Sequence, residues 1–281
     1  MALFKITTLI DNAVYGHVLQ AEHGLSLYIE SEQHKILFDT GQSDLFIRNA
    51  ETLGIDLKEV DTLILSHGHY DHTGGLRSFL KLNAKAKVYC KRKALNRKFK
   101  LTSENGIRQV TELDLSRFHW IEETTALAED IVLCPKVPIT DEKDTHFNNF
   151  LTQPIALPGE PTLSETPPVP DTFEDEQVLV LLTEKTYSVI SACSHRGITN
   201  ILRAVAAEFP NHKLNILIGG FHIHNAGAMK YQRIAEYLQA HQPKQIGVGH
   251  CTGIDQYARF STDFDKRVCY NHVGKVWEIE S

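Results

Sequence analysis

The chain has 281 residues, of which 42% are hydrophobic, so it is long enough to bury a sizeable core. Its 29 basic and 35 acidic residues give a formal net charge of −6, which disfavours a general binder of nucleic acid or of anionic membranes. No apolar run approaches the roughly 20 residues that a membrane-spanning helix requires. We therefore expect neither a nucleic-acid partner nor a membrane partner.

The N-terminal residues and the cysteines bear on cellular location. Residues 1–16 mix polar side chains into an apolar stretch, which predicts a first strand and not a secretion signal. The five cysteines are odd in number and form no C-x-x-C pair, a usage typical of a reducing compartment. A cytoplasmic protein is therefore the expectation.

Strand and helix signals alternate in two comparable parts of the chain. The predicted elements are a hairpin (25–41), a helix (44–54), a short strand (60–68), a strand pair (177–197), a helix (198–209) and two strands (214–224 and 244–253). Four of these strands end at or just before a histidine, namely His67, His195, His222 and His250. Between the two parts, residues 91–175 look irregular and proline-rich, so we predict an insertion or lid within one domain spanning residues 1–281.

The stretch SHGHYDHTGGL, residues 66–76, places three histidines and an aspartate close together and follows them with two glycines. Residues two apart in an extended segment point the same way, so His67 and His69 can converge on one ion at ~2.0–2.1 Å. Asp71 and His72 follow where the glycines turn the chain, so they can serve a second ion. A lone histidine is usually a cap or a core residue, but this pattern arises by chance in roughly one shuffled chain in several hundred. The constellation predicts a metal site.

The pattern His67-x-His69-x-Asp71-His72 after a short strand resembles the metallo-β-lactamase superfamily. The segments ILFDTG, CSHRG and GHCTG are similar to the other metal-site segments of that family. The segments AEHGLSLYIE, SACSHRGITNIL and IGGFH resemble most closely one branch, whose members are called 7,8-dihydropterin-6-methyl-4-(β-D-ribofuranosyl)aminobenzene-5′-phosphate synthases or metal-dependent hydrolases. The resemblance implies an α/β fold, an αββα sandwich with the metals at one edge of its two sheets.

The resemblance also implies two ligand sets, carried over position by position. They are His67, His69 and His195 for a first metal and Asp71, His72 and His250 for a second. Asp39 of ILFDTG would orient a ligand histidine, as carboxylates beside metal sites commonly do. Cys193 and Cys251 lie next to ligands, but we interpret them as packing residues because histidines already fill both sites.

One position departs from the family pattern. Most members carry an aspartate that bridges the two metals, but no aspartate lies between Arg196 and Ile254, and the expected place reads GGFH. His222 is therefore either a ligand or substrate contact near that position, or merely structural. Because a neutral imidazole cannot replace a bridging anion, we expect hydroxide alone to join the metals and the second metal to be held more loosely. The other histidines are interpreted as ordinary core or surface residues, among them His17, His119, His146, His212, His241 and His272.

The predicted cofactors are two divalent metal ions, with zinc favoured and iron or manganese as alternatives. Water bound to such an ion loses its proton near neutral pH and becomes a hydroxide nucleophile, which Asp71 could orient or deprotonate. We therefore predict a metal-dependent hydrolase of a small anionic ester, with a phosphate ester or cyclic phosphodiester as the favoured substrate.

Other functions stay open at this point. One is the synthase of the branch, which would condense a pterin with a ribosyl-aminobenzene phosphate. A second is a non-catalytic metal-binding or sensing protein, and a third is a mononuclear iron dioxygenase. The sequence does not indicate an oligomeric state.

The basic run KRKALNRKFK, residues 91–100, follows a strand whose end should lie near the metal edge. We predict that Arg92 and Arg97 contact the anionic substrate. The alternative is a solvated helix face, which most runs of like charge are.

Overall fold

The computed structural model describes residues 2–161, 163 and 166–280. The strands within these ranges form three sheets, two of seven strands and one of four. No helix in the same ranges combines the length and the apolar character that crossing a bilayer requires.

The first large sheet is built mainly from the N-terminal part of the chain. Its strands are β1 (Ala2–Ile10), β2 (Ser26–Glu30), β3 (Lys35–Phe38), β4 (Thr62–Ile64), β5 (Lys87–Cys90), β8 (Phe118–Trp120) and β18 (Val276–Glu280). In space they follow the order β18-β1-β2-β3-β4-β5-β8. β2 and β3 form the predicted antiparallel hairpin, with Leu27 opposite Phe38. From β3 to β8, neighbouring strands are parallel.

The second large sheet comes mainly from the C-terminal part. Its strands are β9 (Thr125–Ala128), β10 (Ile131–Cys134), β13 (Val178–Leu182), β14 (Thr186–Ile190), β15 (Lys213–Gly219), β16 (Gln245–Val248) and β17 (Val268–Tyr270). Their spatial order is β17-β16-β15-β14-β13-β10-β9. The strands β14, β15, β16 and β17 run parallel to one another, whereas β13, β10 and β9 pair antiparallel.

The two large sheets pack face to face. In β2, Leu27 and Ile29 point into the space between the sheets, whereas Tyr28 points to the outer side, as alternation along a strand requires. Leu179 and Leu181 of β13 enter the same inner core from the second sheet. Each fully buried leucine or isoleucine contributes about 1.5–3 kcal/mol, so this inner core holds the two sheets together.

Helices cover both outer faces. They are α1 (Leu45–Thr52), α2 (Tyr70–Thr73), α3 (Leu76–Leu82), α4 (Ile198–Glu208), α5 (Ala228–His241) and α6 (Ile254–Phe264). Phe46 of α1 and Phe79 of α3 join the core outside the first sheet, and Leu202 of α4 and Phe260 of α6 join the core outside the second. The predicted αββα sandwich is thus confirmed.

Residues 91–175 are more regular than the sequence indicates, and the prediction of one irregular insertion needs correction. The strands β8, β9 and β10 all lie in this segment, yet they extend the two large sheets. The flanking parts form the third sheet, whose strands are β6 (Arg97–Lys100), β7 (Ser103–Glu104), β11 (Phe150–Gln153) and β12 (Val169–Pro170). Strands of two to four residues carry too little periodicity to be recognised from sequence.

The parallel strands bring the histidines to one edge. His67 follows β4 of the first sheet, while His195, His222 and His250 follow β14, β15 and β16 of the second. Because the carboxyl ends of parallel strands meet at the same edge of a sheet, side chains distant in sequence meet there.

Candidate metal centre

Three histidines converge in the deepest part of this edge. His67, His69 and His195 each offer a ring nitrogen, and these nitrogens lie within 4.8 Å of one another. Their Nε2 atoms are buried and have no hydrogen-bond partner among the described residues. An unsatisfied buried polar atom is destabilising by about 1–3 kcal/mol, so three at one point require a common partner. A metal ion fits this requirement, because imidazole nitrogen is a common zinc ligand.

The protonation of these rings suits a metal. Burial lowers the pKa of His69 to about 3 and lowers the pKa of His67 and of His195 well below 6.5, so the rings are neutral. His67 Nδ1 lies 2.9 Å from Ser66 Oγ, and His195 Nδ1 lies 3.4 Å from the carbonyl oxygen of His146. Because Nδ1 faces an acceptor in both rings, Nε2 carries the free lone pair.

A second set of donors lies beside the first. His72 Nε2 is 3.2 Å from His250 Nε2, and Asp71 Oδ2 is 3.7 Å from the former and 3.4 Å from the latter. Ligand atoms that surround a tetrahedral zinc ion at ~2.0–2.1 Å are about 3.3–3.4 Å apart. The triangle of these three atoms therefore has the size that one metal ion requires.

Neighbouring residues fix the orientation of the second pair of rings. Asp39 Oδ2 lies 2.7 Å from His72 Nδ1, and Asn12 Oδ1 lies 3.0 Å from His250 Nδ1 while it also accepts from the Gly24 amide. Both Nδ1 atoms must then carry hydrogen, so two Nε2 lone pairs face each other. Such a pair requires a cation between the nitrogens, either a proton or a metal ion.

Asp39 connects the two sets of donors. It is fully buried, and besides His72 it accepts hydrogen bonds from the amide of Ser66 at 2.8 Å and from the Ser66 hydroxyl at 2.6 Å. Because that hydroxyl donates to Asp39, its oxygen is left to accept from His67 Nδ1. One carboxylate thus orients a histidine of each set.

Asp71 is the carboxylate closest to solvent in this centre. Burial alone would raise the pKa of Asp71. In the absence of metal, the proton shared by His72 and His250 supplies the cation, and its charge together with hydrogen bonds from His23 and His250 holds this pKa well below 3.8. His23 Nε2 lies 3.2 Å from Asp71 Oδ2, and the His23 side chain is half exposed. The carboxylate is therefore ionised and connects the buried donors with the surface.

Three acidic residues that precede β13 hold the ligand loops, and we call Asp171, Asp175 and Glu176 the acidic clamp. Asp175 Oδ2 accepts from the Gly68 amide at 2.8 Å, and Glu176 accepts from the His195 amide at 2.7 Å. The fully buried Lys98 donates to Asp171 and to Asp175, at 2.7 Å in each case. The clamp therefore ties the loop of the first metal motif to the loop of His195.

Two aromatic rings pack against the same histidines. Phe173 stacks on His195 with ring centroids 3.7 Å apart and planes 8° apart. Phe150 of β11 lies 5.1 Å from His69 and 5.2 Å from His195, centroid to centroid. These contacts exclude water from the first set of donors and restrict rotation of its rings.

His222 lies beside the first set, where its ring centroid is 4.3 Å from that of His195. It is half-buried, and its donor nitrogen forms a further group with His195 and Cys193 in which all three donor atoms lie within 4.8 Å. The position of His222 is compatible with a metal ligand and with a substrate contact, the two functional roles that the sequence leaves open. Cys193 Sγ lies 3.1 Å from His72 Nε2, so the sulfur faces the centre as well.

The backbone at this edge is strained at four positions. Asp39, Ser194, His222 and His250 have φ angles of 59°, 57°, 49° and 47°, in the left-handed region that non-glycine residues rarely adopt. Each such residue costs of order 1–3 kcal/mol and persists only where surrounding contacts determine its conformation. These residues carry or adjoin the converging side chains, although left-handed non-glycine residues also occur elsewhere, as at Leu101 and Gln242.

The basic run 91–100 is neither a helix face nor a free cationic patch. Only Arg92–Leu95 forms a short 3₁₀ helix, and Lys98 is buried in β6, so the alternative of a solvated helix face is wrong. Arg92 is paired with Glu160 at 2.6 Å, and Arg97 is paired with Glu104 at 2.9 Å. The charges of both arginines are therefore compensated within the protein, and their contact with substrate stays a prediction.

A different cation lies next to the centre. Lys230 of α5 donates to the carbonyl oxygen of Thr145 at 2.8 Å and lies 3.2 Å from His146 Nδ1. The His146 ring is 5.1 Å from that of His222. Burial lowers the pKa of Lys230 to about 8, so the ammonium group is mainly charged near neutral pH. The charges of Asp144 and Asp141 oppose this shift, but neither carboxylate forms a salt bridge with Lys230 among the described residues.

Sequence reasoning missed several of these residues. Their roles depend on neighbours that are distant in sequence, since a single asparagine, histidine, lysine or phenylalanine carries no metal-site signal by itself. They are Asn12, His23, Lys98, His146, Phe173, Lys230 and the acidic clamp. One usable signal was the run of acids directly before the buried strand β13, because acids at such a place must find buried partners.

The sequence matches the model of the metallo-beta-lactamase superfamily over residues 19–185. A protein of Methanocaldococcus jannaschii named 7,8-dihydropterin-6-methyl-4-(beta-D-ribofuranosyl)-aminobenzene-5'-phosphate synthase is 31% identical, and the alignment covers 97% of this chain and 95% of that protein.

Solved structures match the fold over almost the whole chain. Tm1679, described as a metal-dependent hydrolase of the beta-lactamase superfamily, has 28% identity and a TM-score of 0.83, with 99% of this chain and 100% of that chain covered. A structure described as a new diphosphatase from the PhnP family has 14% identity and a TM-score of 0.55, with 98% and 97% covered. The second match concerns the fold alone.

Replacing His67 or His69 with alanine should remove the first metal and leave the fold intact. Each variant deletes one of three converging nitrogens, whereas loops at a strand end contribute little to the core. Metal content per chain and far-ultraviolet circular dichroism measure the two effects, with His241→Ala on the exposed end of α5 as the control. A His67 or His69 variant with wild-type metal content would show that the assignment is wrong.

Asp175→Asn should destabilise the metal-free protein by about 2–4 kcal/mol. The amide cannot accept from both Gly68 and Lys98, so a buried donor loses its partner. Urea unfolding with chelator present measures this loss, and Glu104→Gln, which weakens an exposed ion pair, should cost less than about 1 kcal/mol. Equal losses in the two variants would contradict a clamp at Asp175.

Proposed function

The chain belongs to the metallo-β-lactamase superfamily, and we propose that it is a metal-dependent hydrolase of a small anionic ester. The favoured substrate is a phosphate ester or a cyclic phosphodiester. The observation that carries this proposal is the pair of adjoining donor sets, one made of three buried imidazoles and the other of two imidazoles and a carboxylate. Zinc suits these ligands best, with iron or manganese as alternatives.

Asp71 supports hydrolysis by its place between the donors and the surface. Two divalent ions, when bound, would supply a hydroxide nucleophile near neutral pH and polarise the ester under attack. Asp71 can orient the attacking water or accept its proton, because its carboxylate lies 3.4 Å from His250 Nε2, between the buried donors and the surface. The half-exposed His23, 3.2 Å from the same carboxylate, can then pass that proton to solvent.

Charge supports an anionic substrate. Two divalent ions carry four positive charges, and Asp71 is the only carboxylate in the two proposed ligand sets. A centre with this excess of positive charge attracts anions through Coulomb forces. Lys230 adds a cation beside His146 and His222, so we assign it to the anionic group of the substrate. Arg92 and Arg97 stay candidates for the same role, but each would first have to leave its carboxylate partner.

A second candidate is the synthase activity in the name of the relative from Methanocaldococcus jannaschii. The extent of that similarity favours it, since the alignment covers almost the whole of both chains. Solvent access favours hydrolysis instead, because half-exposed His23 lies directly on Asp71 and water can therefore reach the carboxylate. Condensation would require water to be excluded from the same place.

A substrate screen on metal-loaded protein should distinguish these activities. We expect zinc- or manganese-dependent hydrolysis of phosphodiester and phosphomonoester model substrates, with no turnover in the His67→Ala variant. A neutral lactone and a thioester provide the matched uncharged substrates. Condensation of a dihydropterin with ribosyl-aminobenzene phosphate, without hydrolysis of any phosphate ester, would support the second candidate. Faster turnover of the lactone or thioester than of every phosphorylated compound would contradict an anionic substrate.

Lys230→Ala should raise KM for a phosphorylated substrate about tenfold, because a hydrogen bond to a charged group contributes roughly 1.5 kcal/mol or more. The increase should shrink as salt rises, since screening weakens charge attraction. Lys230→Arg should retain most of the binding, and Arg97→Ala is the matched control for loss of a cation that is already paired. A larger effect from Arg97→Ala than from Lys230→Ala would assign the anion to the basic run instead.

A further inference from the structure

The proposed two-metal centre lacks a bridging anion of its own. No aspartate lies between Arg196 and Ile254, and the imidazole of His222 supplies no negative charge. Two divalent ions held side by side repel each other, and an anion between them offsets that repulsion. The protein therefore needs another negative group at the junction of the two donor sets, or it must leave that role to solvent.

Cys193 lies at that junction. Its sulfur forms one close group with His67 and His72, a second with His195 and His222, and a third with His250 and Cys251, with donor atoms within 4.8 Å in each. His67 and His195 belong to the first proposed ligand set, while His72 and His250 belong to the second. The sulfur is therefore within reach of donors of both metals, and it is 3.1 Å from His72 Nε2.

The backbone holds this sulfur in place. Cys193 is buried, and the next residue, Ser194, adopts a left-handed φ of 57°. The Ser194 hydroxyl donates to the carbonyl oxygen of Gly220 at 2.7 Å, which ties the loop after β14 to the loop after β15. The strain and the tether at Ser194 fix the backbone between Cys193 and His195, so both side chains are held at the centre.

We propose that the Cys193 thiolate bridges the two metal ions and supplies the anion that the missing aspartate would have provided. The inference rests on the two-metal centre of the proposed function. It replaces the interpretation of Cys193 as a packing residue, because a packing role gives no reason for its sulfur to face five histidines.

The chemistry of the step is simple. On metal binding the S–H bond breaks, the proton passes to water, and the sulfur forms one bond to each metal. Zinc–sulfur bonds are ~2.3 Å long and paired metal ions lie ~3.5–4 Å apart, so one sulfur can reach both. No oxidant or reductant is needed.

Cys251 is the natural control. It lies in the loop of His250 and is less buried than Cys193. Its sulfur joins one close donor group, with Cys193 and His250, and none with a histidine of the first set among the described residues. A Cys251→Ala variant therefore removes a neighbouring thiol without removing the bridging position.

Cobalt substitution tests the proposal directly, since a thiolate bound to Co²⁺ gives an intense charge-transfer band in the near ultraviolet. We expect this band in wild-type protein loaded with Co²⁺ and in Cys251→Ala, and its loss in Cys193→Ser and Cys193→Ala. Zinc titration should show an affinity for the second metal about 10–100-fold lower in the Cys193 variants. Circular dichroism verifies that the variants are folded.

The outcomes separate this inference from the proposed function. Wild-type protein that binds two metals and hydrolyses phosphate esters without a sulfur band would overturn the thiolate bridge alone, whatever the variants do. A band that persists in Cys193→Ala, or disappears in Cys251→Ala, would show that the metal-bound thiolate belongs to a cysteine other than Cys193. Either result would also overturn the proposal. Wild-type protein that binds no metal would contradict both the bridge and the proposed function.

Discussion

The centre of this structure depends on buried histidine rings whose Nε2 lone pairs face one another. A hydrogen-bond acceptor on the opposite side of each ring fixes this orientation. Ser66, Asp39, the His146 carbonyl and Asn12 each face the Nδ1 atom of a different histidine. In each ring the Nε2 lone pair is then left to face the centre. Nitrogen lone pairs cannot be brought together in a dry interior unless a cation joins them. The hydrogen-bond network therefore favours a cation at this point, and a metal ion fits the donors.

The energy that holds this arrangement comes from elsewhere in the fold. His67 and His69 follow a strand of the first sheet and His195 follows a strand of the second, so their nitrogens meet only when the inner faces of both sheets are packed. Left-handed backbone at Asp39, Ser194, His222 and His250 is unfavourable, and so is the burial of Lys98 with its acidic partners. The large apolar cores on either side of each sheet offset these costs.

The individual strands and the cluster from His67 to His72 have short-range signals in the sequence, whereas the αββα layers and the complete ligand sets were implied by the resemblance to the superfamily. Short apolar runs mark β2 and β14, and His67 to His72 lie within six residues of one another. The groups that orient the donors have no such signal, because Gly68 and Asp175 are 107 residues apart and Asn12 and His250 are 238 residues apart. The middle strands β8 to β10 were missed for a related reason, since each is too short to show a period and is recognised only by its neighbours in the sheet.

The metal donors alone do not decide which reaction the protein carries out, because relatives named as a synthase and as a hydrolase both match nearly the whole chain. The distinction must arise where substrate and water enter. On one side of the buried donors, half-exposed His23 contacts Asp71. On the other side, half-buried His222 lies next to His146, which in turn contacts Lys230. His23 keeps a path for protons open to solvent, whereas Lys230 adds positive charge beside the centre. For the proposed hydrolase, water would enter on the side of His23 and an anion would be attracted on the side of Lys230. These residues, more than the candidate metal donors, would then select a phosphorylated substrate.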